Sequence, residues 1–186
     1  MPEQPLSSDL RSMLAPASIA WYGKLPSLGD FVGRRMPHAL ASEWDAWMRE
    51  GMEQLRLADE TSWSDTFVNA PLWFFITSLS TLNSPVIGAL APSMDRVGRY
   101  YPITVMATAP HGVCPFAGDL QVKAFLAGAR SAIVDARRRA LSVDELDRRV
   151  SLLPSPFDTT LPGEREPSLI QDILADLNEA SQAHQA

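Results

Sequence analysis

Residues 21–31, WYGKLPSLGDF, place a Gly-Lys pair where an apolar run ends, with a second glycine and an aspartate directly after. A loop of this composition can bind phosphate through backbone N–H groups and a lysine. The P-loop spacing requires Gly, four residues, then Gly-Lys and a Ser or Thr, so that amides wrap the phosphates and the hydroxyl reaches magnesium. Here Leu25 follows Lys24, and Ser18 stands where the first glycine belongs. The dinucleotide fingerprint fails as well, because Gly23, Gly29 and Gly33 are too widely spaced for one tight turn into a helix. Lys24 can still meet an anion as a single point charge.

A second charged loop, PSMDRVGRYYP, carries Asp95, Arg96 and Arg99; the first carries Lys24, Asp30, Arg34 and Arg35. Each loop leaves an apolar strand, so both are expected at the same end of one sheet. Two readings stand side by side. In one, Lys24, Arg96 and Arg99 form a pocket for an anion such as a phosphorylated side chain. In the other, Asp30 and Asp95 accept bonds from those arginines and from loop N–H groups, and so neutralise the pocket and lock the loops. Interleaving of both signs favours the locked network. Loop GKLPSLGD is then a structural turn, made rigid by Pro26 and Gly29.

Other chemistries find little support. His38, His111 and His184 have no ligand spacing with one another or with Cys114. Cys114 lies in a loop, with Pro115 after it, and reads as a plain thiol rather than a nucleophile. There is no Gly-x-Ser-x-Gly elbow and no kinase signature. Trp44, Trp47, Trp63 and Trp73 read as core. The run Arg137-Arg138-Arg139 reads as a solvated helix end at the negative pole of the dipole, with a docking patch as the lesser reading.

The elements that must carry these loops follow from periodicity. Ser18–Lys24 is an expected first strand, and 31–35 a short extended piece. Leu40, Trp44, Trp47, Met48, Met52 and Leu55 recur at spacings of three and four, which predicts a long helix over 39–57 with Pro37 at its start. A shorter helix surrounds Trp63 and Phe67. Residues 66–94 contain no charge, yet Pro71, Pro85 and Pro92 break them. They read as two buried strands, LWFFITSL and VIGALAP, rather than a membrane span. YYPITVMAT is a further strand, with Pro102 suited to an edge or first position. Asp119 opens a helix to about Arg139, with Val122, Phe125, Leu126, Ala129 and Ile133 inward. Ser142 and Glu145 form a capping box for the next helix, and Ser168 and Gln171 do so for a last one.

The 186 residues suit one domain of α/β type, with 1–17 a mobile tail, 18–180 the folded unit and 181–186 frayed. Net charge is −6, which argues against broad nucleic-acid binding. A single cysteine permits no internal disulfide and fits a reducing compartment.

The segments WYGKLPSLGDFVGRRMP, WDAWM, APLWFF and GALAPSMDRVGRYYPIT, in this order, resemble the TagF family, also called ImpM or SciT. These are accessory proteins of bacterial type VI secretion systems. The resemblance runs from about Trp21 to the helix near Arg139, with the C-terminal helices over 142–180 beyond it. It implies a three-layer α/β/α sandwich with a mixed, largely antiparallel sheet, and a cytoplasmic location. It further implies a non-catalytic, post-translational repressor that binds the forkhead-associated scaffold protein of the machine, and possession of no metal or cofactor. Some relatives are fused to a PP2C-type phosphatase domain, whose aspartate-metal motifs are missing here, so that activity is not carried over. The matching signature positions are Lys24, Pro26, Gly29, Asp30, Asp95, Arg96, Gly98, Arg99 and Pro102, with a structural or partner-binding role. The alternative is an anion- or phosphopeptide-binding domain, or an enzyme, using a pocket of Lys24, Arg96 and Arg99.

Overall fold

The computed structural model describes residues 19–79, 84–110 and 113–157. The expected tail, the Asn-Ser-Pro turn in part, His111, His184 and the Ser168–Gln171 capping box lie outside the described residues. Within them the chain forms β1 (Ile19–Lys24), β2 (Phe31–Arg34), α1 (His38–Ala58), α2 (Trp63–Asn69), β3 (Trp73–Ser78), β4 (Pro85–Ala91), β5 (Ile103–Thr108), α3 (Leu120–Arg139) and α4 (Val143–Ser151).

The strands build one sheet in the order β2-β1-β5-β4-β3. Every pairing is antiparallel, which corrects the expectation of a mixed sheet. The chain makes a β1–β2 hairpin and a β3–β4–β5 meander, and the two units join where β1 pairs β5. The α1–α2 connection carries the chain from one sheet edge to the other. It therefore does not form the short crossover that would place parallel strands side by side.

Side-chain alternation divides the core in two. Trp21, Ile87, Ala89, Ile103 and Val105 meet Val122, Phe125, Ala129 and Ile133 of α3 and Leu146 and Val150 of α4. Ala20, Val86 and Met106 point the other way and meet Leu40 and Trp44 of α1. Because both faces are covered at the centre, β4 and β5 are nearly continuous apolar runs although the sheet is antiparallel. The Trp44 indole donates to Thr104 Oγ1 at 3.2 Å, which satisfies two buried polar groups at once. The Ser142–Glu145 capping box forms as its residue pattern requires. Asp119 stands at the α3 N-cap but makes no side-chain cap bond there.

Two expectations of burial fail. β3 is an edge strand, and its Trp73, Phe74 and Ile76 are exposed rather than core. Trp47, at the middle of α1, is 49% exposed. The helix has 21 residues and spans roughly 31 Å, whereas a six-residue strand spans roughly 20 Å. Leu40 and Trp44 are buried against the sheet and Met48 packs beside them, while Trp47 borders a gap toward Trp73 and Leu90. Trp47 stacks edge-on against Trp44 at 5.2 Å, and an apolar groove of about 380 Å³ opens between Trp47, Met52, Leu55, Phe67 and Trp73.

Candidate functional site

β1 and β4 run in the same direction, so the loops that follow them emerge at one end of the sheet and touch. Gly23 sets the approach. Its φ is +143°, and a Cβ there would stand 2.2 Å from the Pro102 carbonyl oxygen. Only glycine lets β1 lie this close to the entry of β5, and the next residue, Lys24, is thereby turned inward.

Asp95 is the centre of the site, with 2% of its surface exposed. Its Oδ2 meets Lys24 Nζ at 3.1 Å and Arg99 Nε at 2.7 Å. Its Oδ1 accepts from the N–H groups of Val97 at 3.0 Å and Arg99 at 2.9 Å. Gly98, at φ +85°, closes this turn in the left-handed region, and its N–H donates to the Asp95 carbonyl at 3.0 Å. Lys24 is itself 5% exposed and lies 4.9 Å above the Phe31 ring.

The two loops are then stitched to each other and to the helices. Ser93 Oγ donates to the Lys24 carbonyl at 2.8 Å, and the Arg96 N–H donates to Leu28 O at 2.9 Å. An Arg99 Nη2–H donates to Gly29 O. Ser27 Oγ donates to Leu141 O at 2.6 Å, which ties the first loop to the α3–α4 joint. On the same side of the molecule, the Trp21 indole donates to Asp147 Oδ1 at 2.8 Å, and Arg35 pairs with that carboxylate at 2.8 Å. These serine and tryptophan bonds join residues more than 60 positions apart and carry no local sequence signal.

The structure thus brings Lys24, Asp95 and Arg99 into one network. It does not bring Asp30 into it: Asp30 Oδ1 caps the Phe31 N–H at 2.7 Å instead. Arg96 is exposed and contributes through its backbone. Gly29 contributes its carbonyl. A Cβ at that position would meet only an Arg96 nitrogen, at 3.8 Å, so its rigidity does not come from being glycine. Pro102 is buried at the head of β5. An anion offered to Lys24 and Arg99 would compete with a buried carboxylate already held by both.

Burial works against ionisation of Asp95. The Arg99 N–H, the Lys24 ammonium, the Arg99 guanidinium and the Val97 N–H outweigh it, holding the carboxyl well below the usual carboxylate range. The sign follows by linkage. A carboxyl depressed in the folded state adds stability above its unfolded pKa, near 3.9, and loses it as pH falls through the folded value. Acid unfolding of the wild type is therefore expected to begin near pH 4 and steepen below it. Asp95→Asn is expected to be less stable at pH 7 and to show a flatter dependence between pH 5 and pH 2, read by denaturant melts at each pH. A parallel acid dependence in both proteins would contradict this role for Asp95.

Among the described residues, no group of three or more His, Cys, Asp or Glu is placed to hold a metal ion. No helix among them is long and apolar enough to cross a membrane.

A family model described as the TagF N-terminal domain, type VI secretion system-associated, matches residues 20–153. The match extends past Arg139 and takes in α4. Among solved structures, the chain is similar to PA0076 from Pseudomonas aeruginosa PAO1, with 28% identity and a TM-score of 0.66. The likeness covers 88% of this chain and 78% of that one. No curated protein matches the chain.

Proposed function

Because the chain belongs to the TagF family of type VI secretion system-associated proteins, we propose that it is a non-catalytic, cytoplasmic regulator that represses the secretion machine by binding one of its components. The observation that carries this reading is the family match over residues 20–153, which takes in all five strands, β1 from its second residue, and the four helices. The partner the resemblance points to is the forkhead-associated scaffold protein.

Two features of the fold support a binding role. The signature residues Lys24, Asp95 and Arg99 satisfy one another, so they build a stiff rim rather than a set of free reactive groups. The α1–β3 groove exposes Trp47 and Trp73, and clustered exposed aromatics of this kind serve as anchors at protein interfaces. The test is a pull-down with the tagged chain from cells carrying an intact secretion cluster. Enrichment of the forkhead-associated scaffold is the expected result. Enrichment of no secretion component, with the bait folded and abundant, would overturn the reading.

A further inference from the structure

Beside the locked network lies a different pair of cations. Arg137 and Arg138, in the last turn of α3, line a cleft of about 500 Å³ whose other walls include Pro26, Pro92, Met94 and Val134. Pro26 and the Pro92–Met94 segment come from the two signature loops, so the cleft opens where those loops meet α3.

Several arginines of these loops and helices have carboxylates, while Arg34, Arg96, Arg130 and Arg148 have no ion pair among the described residues and line no part of this cleft. Arg35 pairs with Asp147, Arg99 with Asp95, and both Arg139 and Arg149 with Asp135. Arg137 and Arg138 have no carboxylate within ion-pair distance among the described residues, although the chain has 22 acidic residues against 16 Lys and Arg. Arg137 is moreover half-buried. Burial first, and the adjacent Arg138 charge second, pull its guanidinium below the ordinary arginine range. The helix dipole favours cations at this end, but it asks for neither a cleft nor the partial burial of one of them. Two adjacent guanidiniums, one partly desolvated and neither neutralised, are arranged to receive negative charge from a ligand.

We infer that this cleft binds a doubly charged oxyanion, a phosphate monoester carried on an apolar body. Two guanidinium forks match the charge of a phosphate dianion better than that of a single carboxylate. The apolar walls fit a carbon body beside it. The inference stands apart from the repressor reading, since it concerns the cleft and not the secretion component bound.

The probe is phenyl phosphate, titrated into the full chain by calorimetry at constant ionic strength, with inorganic phosphate and benzoate alongside. Saturable binding of phenyl phosphate is expected, stronger than that of either comparator. The double variant Arg137→Ala/Arg138→Ala is expected to lose roughly tenfold or more in affinity. Arg138→Ala alone, at an exposed position, is expected to lose part of it and guards against misfolding of the double variant. Arg139→Ala, which removes a paired arginine, should leave binding unchanged. No binding by the wild type, or equal binding by the double variant, would overturn the inference. Equal affinity for benzoate would overturn the dianion assignment. Substituting Glu164→Gln and Glu166→Gln in the full chain tests the source. Unchanged affinity supports an outside ligand, whereas markedly tighter binding would overturn that in favour of the chain's own C-terminal carboxylates.

Discussion

Asp95→Ala is expected to lower the melting temperature by on the order of 10 °C, a large effect for a single substitution in a chain of 186 residues. The reason is what the substitution leaves behind. Lys24 is 5% exposed, and its ammonium lies 3.1 Å from Asp95 Oδ2. Without that carboxylate a cation is stranded where water cannot reach it, and breaking a buried pair from one side costs more than the pair contributes. The Val97 and Arg99 N–H groups lose their acceptor in the same step. Arg99→Ala should cost far less, because the Arg99 side chain is 57% exposed and Lys24 keeps Asp95. Replacing both members, Lys24→Met with Asp95→Leu, should recover part of the loss, since no buried charge then remains unpaired. Scanning calorimetry of these variants decides the matter. A melting temperature for Asp95→Ala equal to that of the wild type would show that the network does not hold the loops.

The network was partly legible in the sequence, and the reasons differ by residue. Asp95 lies in a tight turn with Val97, Gly98 and Arg99, where an Asx-type acceptor and a left-handed glycine are local features. Its partnership with Lys24, 71 positions earlier, depends on β1 and β4 running the same way. The strand order that secures this follows from β1 pairing β5, which no short-range pattern encodes. Asp30 illustrates the limit from the other side. It sits among cations in the sequence, yet its carboxylate turns to the next N–H because β2 begins there.

Burial along α1 departs from the helical pattern for a related reason. Helical periodicity marks an apolar stripe, but it does not say how much sheet lies beneath it. Leu40, Trp44 and Met48 find the sheet, while Trp47 borders the open groove beside Trp73 and Leu57 is exposed. Trp73 and Phe74 read as core from composition and lie on an exposed edge, because among the described residues β3 pairs with β4 alone. The cleft beside α3 was hidden in the same way. Arg137 and Arg139 look alike in a run of three arginines. Asp135 pairs with Arg139 and Arg149, and leaves Arg137 facing the loops.

If the chain represses by binding as proposed, its overproduction is expected to silence type VI secretion and its deletion to raise it. This is the larger of the functional effects expected, and it follows from repression by binding. A repressor that acts by occupying its target needs a concentration near that of the target, or near the dissociation constant, whichever is greater. Its dose response therefore bends where chain and target are comparable in amount. A catalytic repressor would act well below that point, since each copy would process many targets. Asp95→Ala, if it is folded at the growth temperature at all, should shift the curve only by lowering the amount of folded chain.

The measurement that tests the binding account most directly is export of the secreted tube protein across a graded expression series of the chain, with chain and scaffold quantified in the same cells. The account predicts that export falls steeply as the chain approaches equivalence with the scaffold and not before. Complete silencing by a trace of the chain, far below the level of the scaffold, would contradict it.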